Sequence, residues 1–145
     1  MAKAKFKLRG EVLIEKNGVL ILHLKNLVVD GGLNLALQCI FGTQVKVTHI
    51  GLGSSATAPT PTQTALVSPL GDRRPFDAAP GITDNVVTAI ATFPAGEATG
   101  SVSEAGLFSA ITAGTMFSRV TFPAVPKGVG DELKITWVIT ASNAT

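Results

Sequence analysis

Apolar and polar positions alternate with a period of two along most of this chain, and glycine, proline and Asn/Asp residues interrupt the alternation where turns fit. Lys3, Lys5, Lys7 and Arg9 alternate with Ala4, Phe6 and Leu8, which places the cations on one face of an extended segment. Glu11 to Glu15 and Val19 to Lys25 flank Asn17-Gly18, a pair that supplies the positive φ angles of a tight hairpin turn. Asp30-Gly31-Gly32 breaks the strand. Leu33, Ala36, Leu37 and Ile40 then switch to helical spacing, which predicts one short helix with Asp30 as its cap and Gly42 just past its end. So short a helix must gain its stability by packing on a sheet. Cys39, on or near that stripe, is expected to be a small buried hydrophobe.

Val45 to Gly53 reads as a further strand, and Ser54 to Thr64 as a surface loop of Ser, Ala, Thr and Pro closed by a turn of helix near Gln63 to Leu66. Gly71 to Pro80 is a second polar, proline-marked segment. From Asp84 onward strands alone are predicted, covering Val86 to Phe93, Val102 to Phe108, Thr115 to Phe122 and Leu133 to Thr140. Leu133, Ile135, Trp137 and Ile139 share one face of the last, so Trp137 is expected in the core. About seven or eight strands and one short helix predict a mainly β chain, an antiparallel β-sandwich or jelly-roll-like fold. The expected organisation is a basic N-terminal arm, residues 1–10, followed by a single sandwich domain, residues 11–145.

Composition narrows the functional classes. Hydrophobic residues make up 46% of the 145 positions and charged residues 15%, so the chain can bury enough surface to exclude disorder as its main state. The most apolar stretch, Val19 to Val29, is interrupted by His23, Lys25 and Asn26 and is too short for a membrane span. No apolar segment directly follows the basic N-terminus, so no secretory signal is expected. A mean hydropathy of +0.38 with so little charge suits a chain that buries further surface against other chains. The net charge of +2 gives no case for nucleic acid, because beyond the first nine residues no basic patch with interleaved aromatics occurs. For the N-terminal cations two readings stand: a solvated edge-strand face, or an arm that docks on an acidic partner.

The search for chemistry yields no catalytic set. His23 and His49 lie in strands among apolar neighbours, without metal-ligand spacing, and Cys39 is the single cysteine. Gly51-Leu52-Gly53-Ser54-Ser55 lacks the lysine and following helix of a phosphate loop. The carboxylates are scattered, and Glu104 is expected in a buried or interface hydrogen bond. The expectation is a protein that is not an enzyme, with no catalytic residues, no metal and no cofactor.

The order of several segments resembles small virion structural proteins of tailed bacteriophages. These are Lys25 to Asn34, Thr48 to Gly53, the threonine-proline run Thr57 to Leu66, Glu104 to Phe108, Arg119 to Phe122 with Lys127, and Ile135 to Trp137. Many such proteins continue from the threonine-proline run into Leu-x-x-Glu-x-x-Arg. Here Leu66 to Arg73 reads LVSPLGDR, so no role tied to that glutamate carries over. The resemblance implies a component of the particle, made in the bacterial host cytoplasm and located in the virion. Two places follow: a capsid decoration (cement) protein bound to the major capsid protein, or a tail-fibre or tail-tip component bound to tail proteins. A compact β-domain with an arm and surplus apolar surface favours decoration, with self-association, a trimer being the favoured form. No specific nucleic acid and no membrane are expected as partners. Contact with the particle is assigned to the arm (Lys3, Lys5, Phe6, Lys7, Leu8, Arg9) and the loop (Thr57, Pro59, Thr60, Pro61). A glycan-binding sandwich is a third possibility, disfavoured by the absence of Tyr and the single Trp.

Overall fold

A computed structural model describes residues 5–43 and 45–144. Within them the chain forms β1 (Lys5–Lys16), β2 (Val19–Val28), α1 (Asp30–Phe41), β3 (His49–Gly53), β4 (Arg74–Pro75), β5 (Gly81–Thr83), β6 (Val86–Phe93), β7 (Gly100–Phe108), β8 (Met116–Lys127) and β9 (Leu133–Ala144). The strands join in the order β4-β3-β7-β8-β2-β1-β9-β6-β5, and every pairing is antiparallel. β2 makes this one curled sheet. It runs along β1 from Val19 to Asn26, then turns to pair Leu27 and Val28 with Arg119 and Ser118 of β8. The two halves of the sheet thereby face each other across one core, a mainly β, sandwich-like fold.

Alternation explains one half of the core, and strands buried on both faces, β7 from Val102 and β8 to Val120, supply much of the other. Val12 and Ile14 of β1, Ala91 and Phe93 of β6, and Leu133, Ile135 and Trp137 of β9 are fully buried from one half. Ile50, Leu52, Val102, Ala105, Leu107, Val120 and Phe122 meet them from the other. The Asn17-Gly18 turn forms as its residues require, with φ of 50° and 83°.

Several expectations are corrected. The arm is not a separate segment: from Lys5 to Gly10 it continues β1, paired residue by residue with β9 from Ala144 to Ile139. Leu8 packs on the core while Lys7 and Arg9 stay exposed, which is what period-two alternation dictates once a partner strand is present. Lys3 lies outside the described residues. Nor is β1 an edge strand as a whole, since β2 and β9 flank it from Gly10 to Lys16.

The helix is real but faces the other way. Its buried residues are Gly32 and Leu35, and Ala36 is partly buried, whereas Leu33, Leu37 and Ile40 are exposed. The reason is Gly32. A Cβ there would collide with the carbonyl of Phe117, so the missing side chain lets the α1 backbone lie directly on β8. Asp30 is the first helical residue rather than the cap. Val29 holds the cap position without a side-chain bond, and the Asp30 N–H donates to the Pro61 carbonyl at 2.8 Å. Gly42 ends the helix with its N–H on the Gln38 carbonyl. Cys39 is exposed, its Sγ 3.6 Å from the Val45 carbonyl; it shares the face of Gly32 and Leu35 but lies near the end of the helix, where every residue from Leu37 onward is exposed. Residues 63–66 form no helical turn. The strand expected from Val45 pairs only from His49.

Candidate functional site

The polar residues of the threonine-proline loop and of two distant strands meet at a buried ion pair. Glu104 on β7 and Arg119 on β8 are both fully buried. The register pairs Gly106 with Arg119 and Glu104 with Thr121, so the two charges sit diagonally on one face. Arg119 Nε donates to Glu104 Oε2 at 2.8 Å, and Nη2 lies 2.7 Å from the same oxygen. Glu104 also accepts the backbone N–H of Val67 at 3.1 Å and of Ser68 at 2.7 Å. Arg119 Nη1 donates to the Thr57 carbonyl at 2.7 Å and to Gln63 Oε1 at 3.2 Å. Gln63 Oε1 in turn accepts the Thr60 N–H. A Cβ on Gly53 would occupy the space of the Glu104 carboxylate, so the glycine keeps that seat open.

This network gives the loop a fixed shape. Thr57, Thr60 and Pro61 remain exposed and Pro59 half-buried, on a backbone held at Thr57 and at 67–68 by buried charge and at Pro61 by α1. The pair is neutralised and anchored on both sides, with Arg119 Nη2 held by its ion-pair contact to Glu104 and by no hydrogen bond among the described residues. It acts as a clasp.

The assigned N-terminal residues reach the same helix from the other side. Where β2 leaves β1, a crevice of about 650 Å³ opens, lined by Lys7, Leu8, Arg9, Lys25, Asn26 and Leu33 among others. The first turn of α1 therefore borders both regions: Asp30 bonds Pro61 of the loop, and Leu33 lines the crevice beside Lys7 and Arg9. Lys5 and Phe6 contribute backbone pairing to β9.

Two more cations, Lys127 buried and Arg73 half-buried, support surface turns. Lys127, 1% exposed, donates to the carbonyls of Pro94 and Asp131, which ties the β6–β7 turn to the β8–β9 turn. Burial holds its ammonium pKa below the usual lysine value, against the opposing pull of Asp131, Glu97 and Glu132. Arg73 stacks 3.5 Å above the Phe108 ring and donates to the carbonyls of Ala110 and Ala113.

Burial, together with the nearby Arg73 guanidinium, holds the His49 pKa below that of a free imidazole. The unfolded chain therefore takes up this proton at a higher pH than the fold does. The stability contributed by neutral His49 is complete above the free-imidazole pKa and is lost as pH falls through the lowered value. His49→Gln should flatten this part of the acid dependence, read as a smaller drop in the urea midpoint between neutral and mildly acidic buffer than in the wild type. His23 lies on the exposed face, 3.1 Å from Glu11 Oε2. Among the described residues no group of three or more His, Cys, Asp or Glu is placed to hold a metal ion, and no helix is long and apolar enough to cross a membrane.

Sequence reasoning named the loop and Glu104 but did not see that Arg119 joins them. Comparison with protein-family models, with curated proteins and with solved structures finds no match to this chain.

Proposed function

We propose that this protein is a non-enzymatic structural component of a tailed-phage particle, a decoration protein that binds and stabilises the assembled coat. The observation that carries the reading is the convergence at the clasp. The threonine-proline run, Glu104 and Arg119 are three separate segments of the virion-protein resemblance, and their polar groups serve to hold an exposed loop in shape. A preorganised loop loses little entropy on docking, which suits a protein that works by binding alone. Many copies seated on sites created by the closed shell would add mass-action stability to it.

Lys7 and Arg9, exposed beside the crevice and close to Lys25, are the steering cations of the proposed contact. Truncating residues 1–9 is a poor test, since it strips β9 of its partner through Thr140 and removes Leu8 from the core. Lys7→Glu with Arg9→Glu keeps both. In co-sedimentation with coat shells, the double variant should bind at least about tenfold more weakly at low salt, the gap closing as salt rises. Unchanged binding would remove these residues from the contact.

A further inference from the structure

The first part of β1 has a neighbouring strand on one side only. From Lys5 to Arg9 it pairs with β9 between Ala144 and Thr140, while β2 meets β1 from Gly10 onward and leaves it to join β8 at Leu27 and Val28. Alternate N–H and C=O groups of Lys5 to Arg9 therefore point away from β9 with no strand opposite them among the described residues. The crevice of about 650 Å³ opens along this edge and is bounded on another side by Leu33 of α1.

The lining of the crevice is one-sided in charge. Lys7, Arg9 and Lys25 are exposed, and none of them enters an ion pair among the described residues. Glu11, the one carboxylate of the lining, is already engaged by His23 at 3.1 Å. Leu8, half-buried on the core, and Leu33, 43% exposed, give the crevice apolar wall.

We propose that this edge accepts an extended acidic segment of a partner protein, which adds to β1 as a further strand. Three properties select that occupant. The row of unpaired backbone donors and acceptors is satisfied by an extended chain. Side chains along β1 alternate, with Lys7 and Arg9 on one face and Leu8 on the other, so a strand laid beside it matches them with acidic and apolar residues at alternate positions. Edge lysines ordinarily keep strands apart, and an acidic segment turns that repulsion into attraction while basic segments stay excluded. The edge is also ready-made: β9 already holds β1 extended, so the ordering entropy falls on the partner alone. The inference rests on the contact proposed for Lys7 and Arg9, and it names what the partner presents there.

The test is titration of a fluorescein-labelled peptide of about eight residues, alternating glutamate and valine, with the full chain at low salt. Anisotropy reads the binding, and NMR reads backbone amide exchange residue by residue and confirms the fold of each variant. Saturable binding is expected. It should be at least about tenfold weaker for the Lys7→Glu, Arg9→Glu double variant, and for a peptide with lysine in place of glutamate. Within Lys5–Arg9, the alternate amides that β9 leaves unbonded should exchange at least about tenfold more slowly when the peptide is bound. No saturable binding, equal binding of the lysine peptide or by the double variant, or binding that leaves these amides unprotected would each overturn strand addition. The assay contains no coat shells, so its failure is separate from that of the contact reading, which falls if the double variant still binds shells as the wild type does.

Discussion

Replacing Arg119 with methionine is expected to cost about 3–5 kcal/mol, a large part of the stability of an ordinary domain. The substitution keeps the length and apolar bulk of the side chain but leaves the Glu104 carboxylate fully buried with no counter-charge. It also orphans the Thr57 carbonyl and leaves Gln63 Oε1 with the Thr60 N–H alone. Urea unfolding followed by circular dichroism measures the loss. The informative partner is the double variant Glu104→Leu with Arg119→Met, which removes both charges together. Its global stability should return to within about 2 kcal/mol of the wild type, because a well-packed apolar pair avoids the desolvation that the ion pair suffers. Residues 57–68 would still have lost their anchors, so limited proteolysis should cut that loop faster in the double variant than in the wild type. A double variant as unstable as Arg119→Met alone would show that the loss does not arise from leaving the Glu104 carboxylate without its counter-charge.

The second large effect is expected at Trp137, the largest fully buried side chain. It lines an apolar cavity of about 130 Å³ with Val47, Phe76, Val87, Ala89 and Leu107 among its neighbours. Trp137→Ala would join the space of the lost indole to that cavity, at the centre of β9 where pairing with β1 and β6 prevents collapse. A loss of about 3–5 kcal/mol follows, toward the upper end for a site so constrained. Trp137→Phe should be far milder, under about 1.5 kcal/mol. The indole N–H is buried without a hydrogen-bond partner among the described residues, so its removal recovers part of the packing loss. The difference between the two unfolding free energies is the quantity to measure. Equal losses would mean that the cost arises from something other than volume.

β1, β6 and β9 were legible because their side chains alternate between core and solvent, a signal that survives without knowledge of partners, whereas β7 from Val102 and β8 to Val120 are buried on both faces. β4 and β5 were not, since two or three residues beside prolines carry no period; the cue available was Asp84-Asn85, whose positive φ angles of 49° and 67° build the hairpin between β5 and β6. The helix was legible as an element but not in its orientation. Hydrophobic periodicity weighs side chains, while the decisive contact at Gly32 depends on having none. The clasp was half legible. Glu104 is the single charge of β7 and Arg119 the single charge of β8 before Lys127 at its end, which marks both as paired, but only the β7–β8 register shows that they pair with each other. The basic alternation at the N-terminus fixed which side chains face solvent. It could not distinguish a free arm from a strand, because that depends on whether β9 extends far enough to meet it, and β9 does as far as Ala144.

The particle assignment is tested most directly by the copy number of this protein in purified virions, measured against the major capsid protein by quantitative mass spectrometry. A decoration protein should be present at a stoichiometry approaching that of the coat. A few copies per particle would contradict decoration and place the protein in the tail, and complete absence from particles would contradict a structural role in the virion altogether.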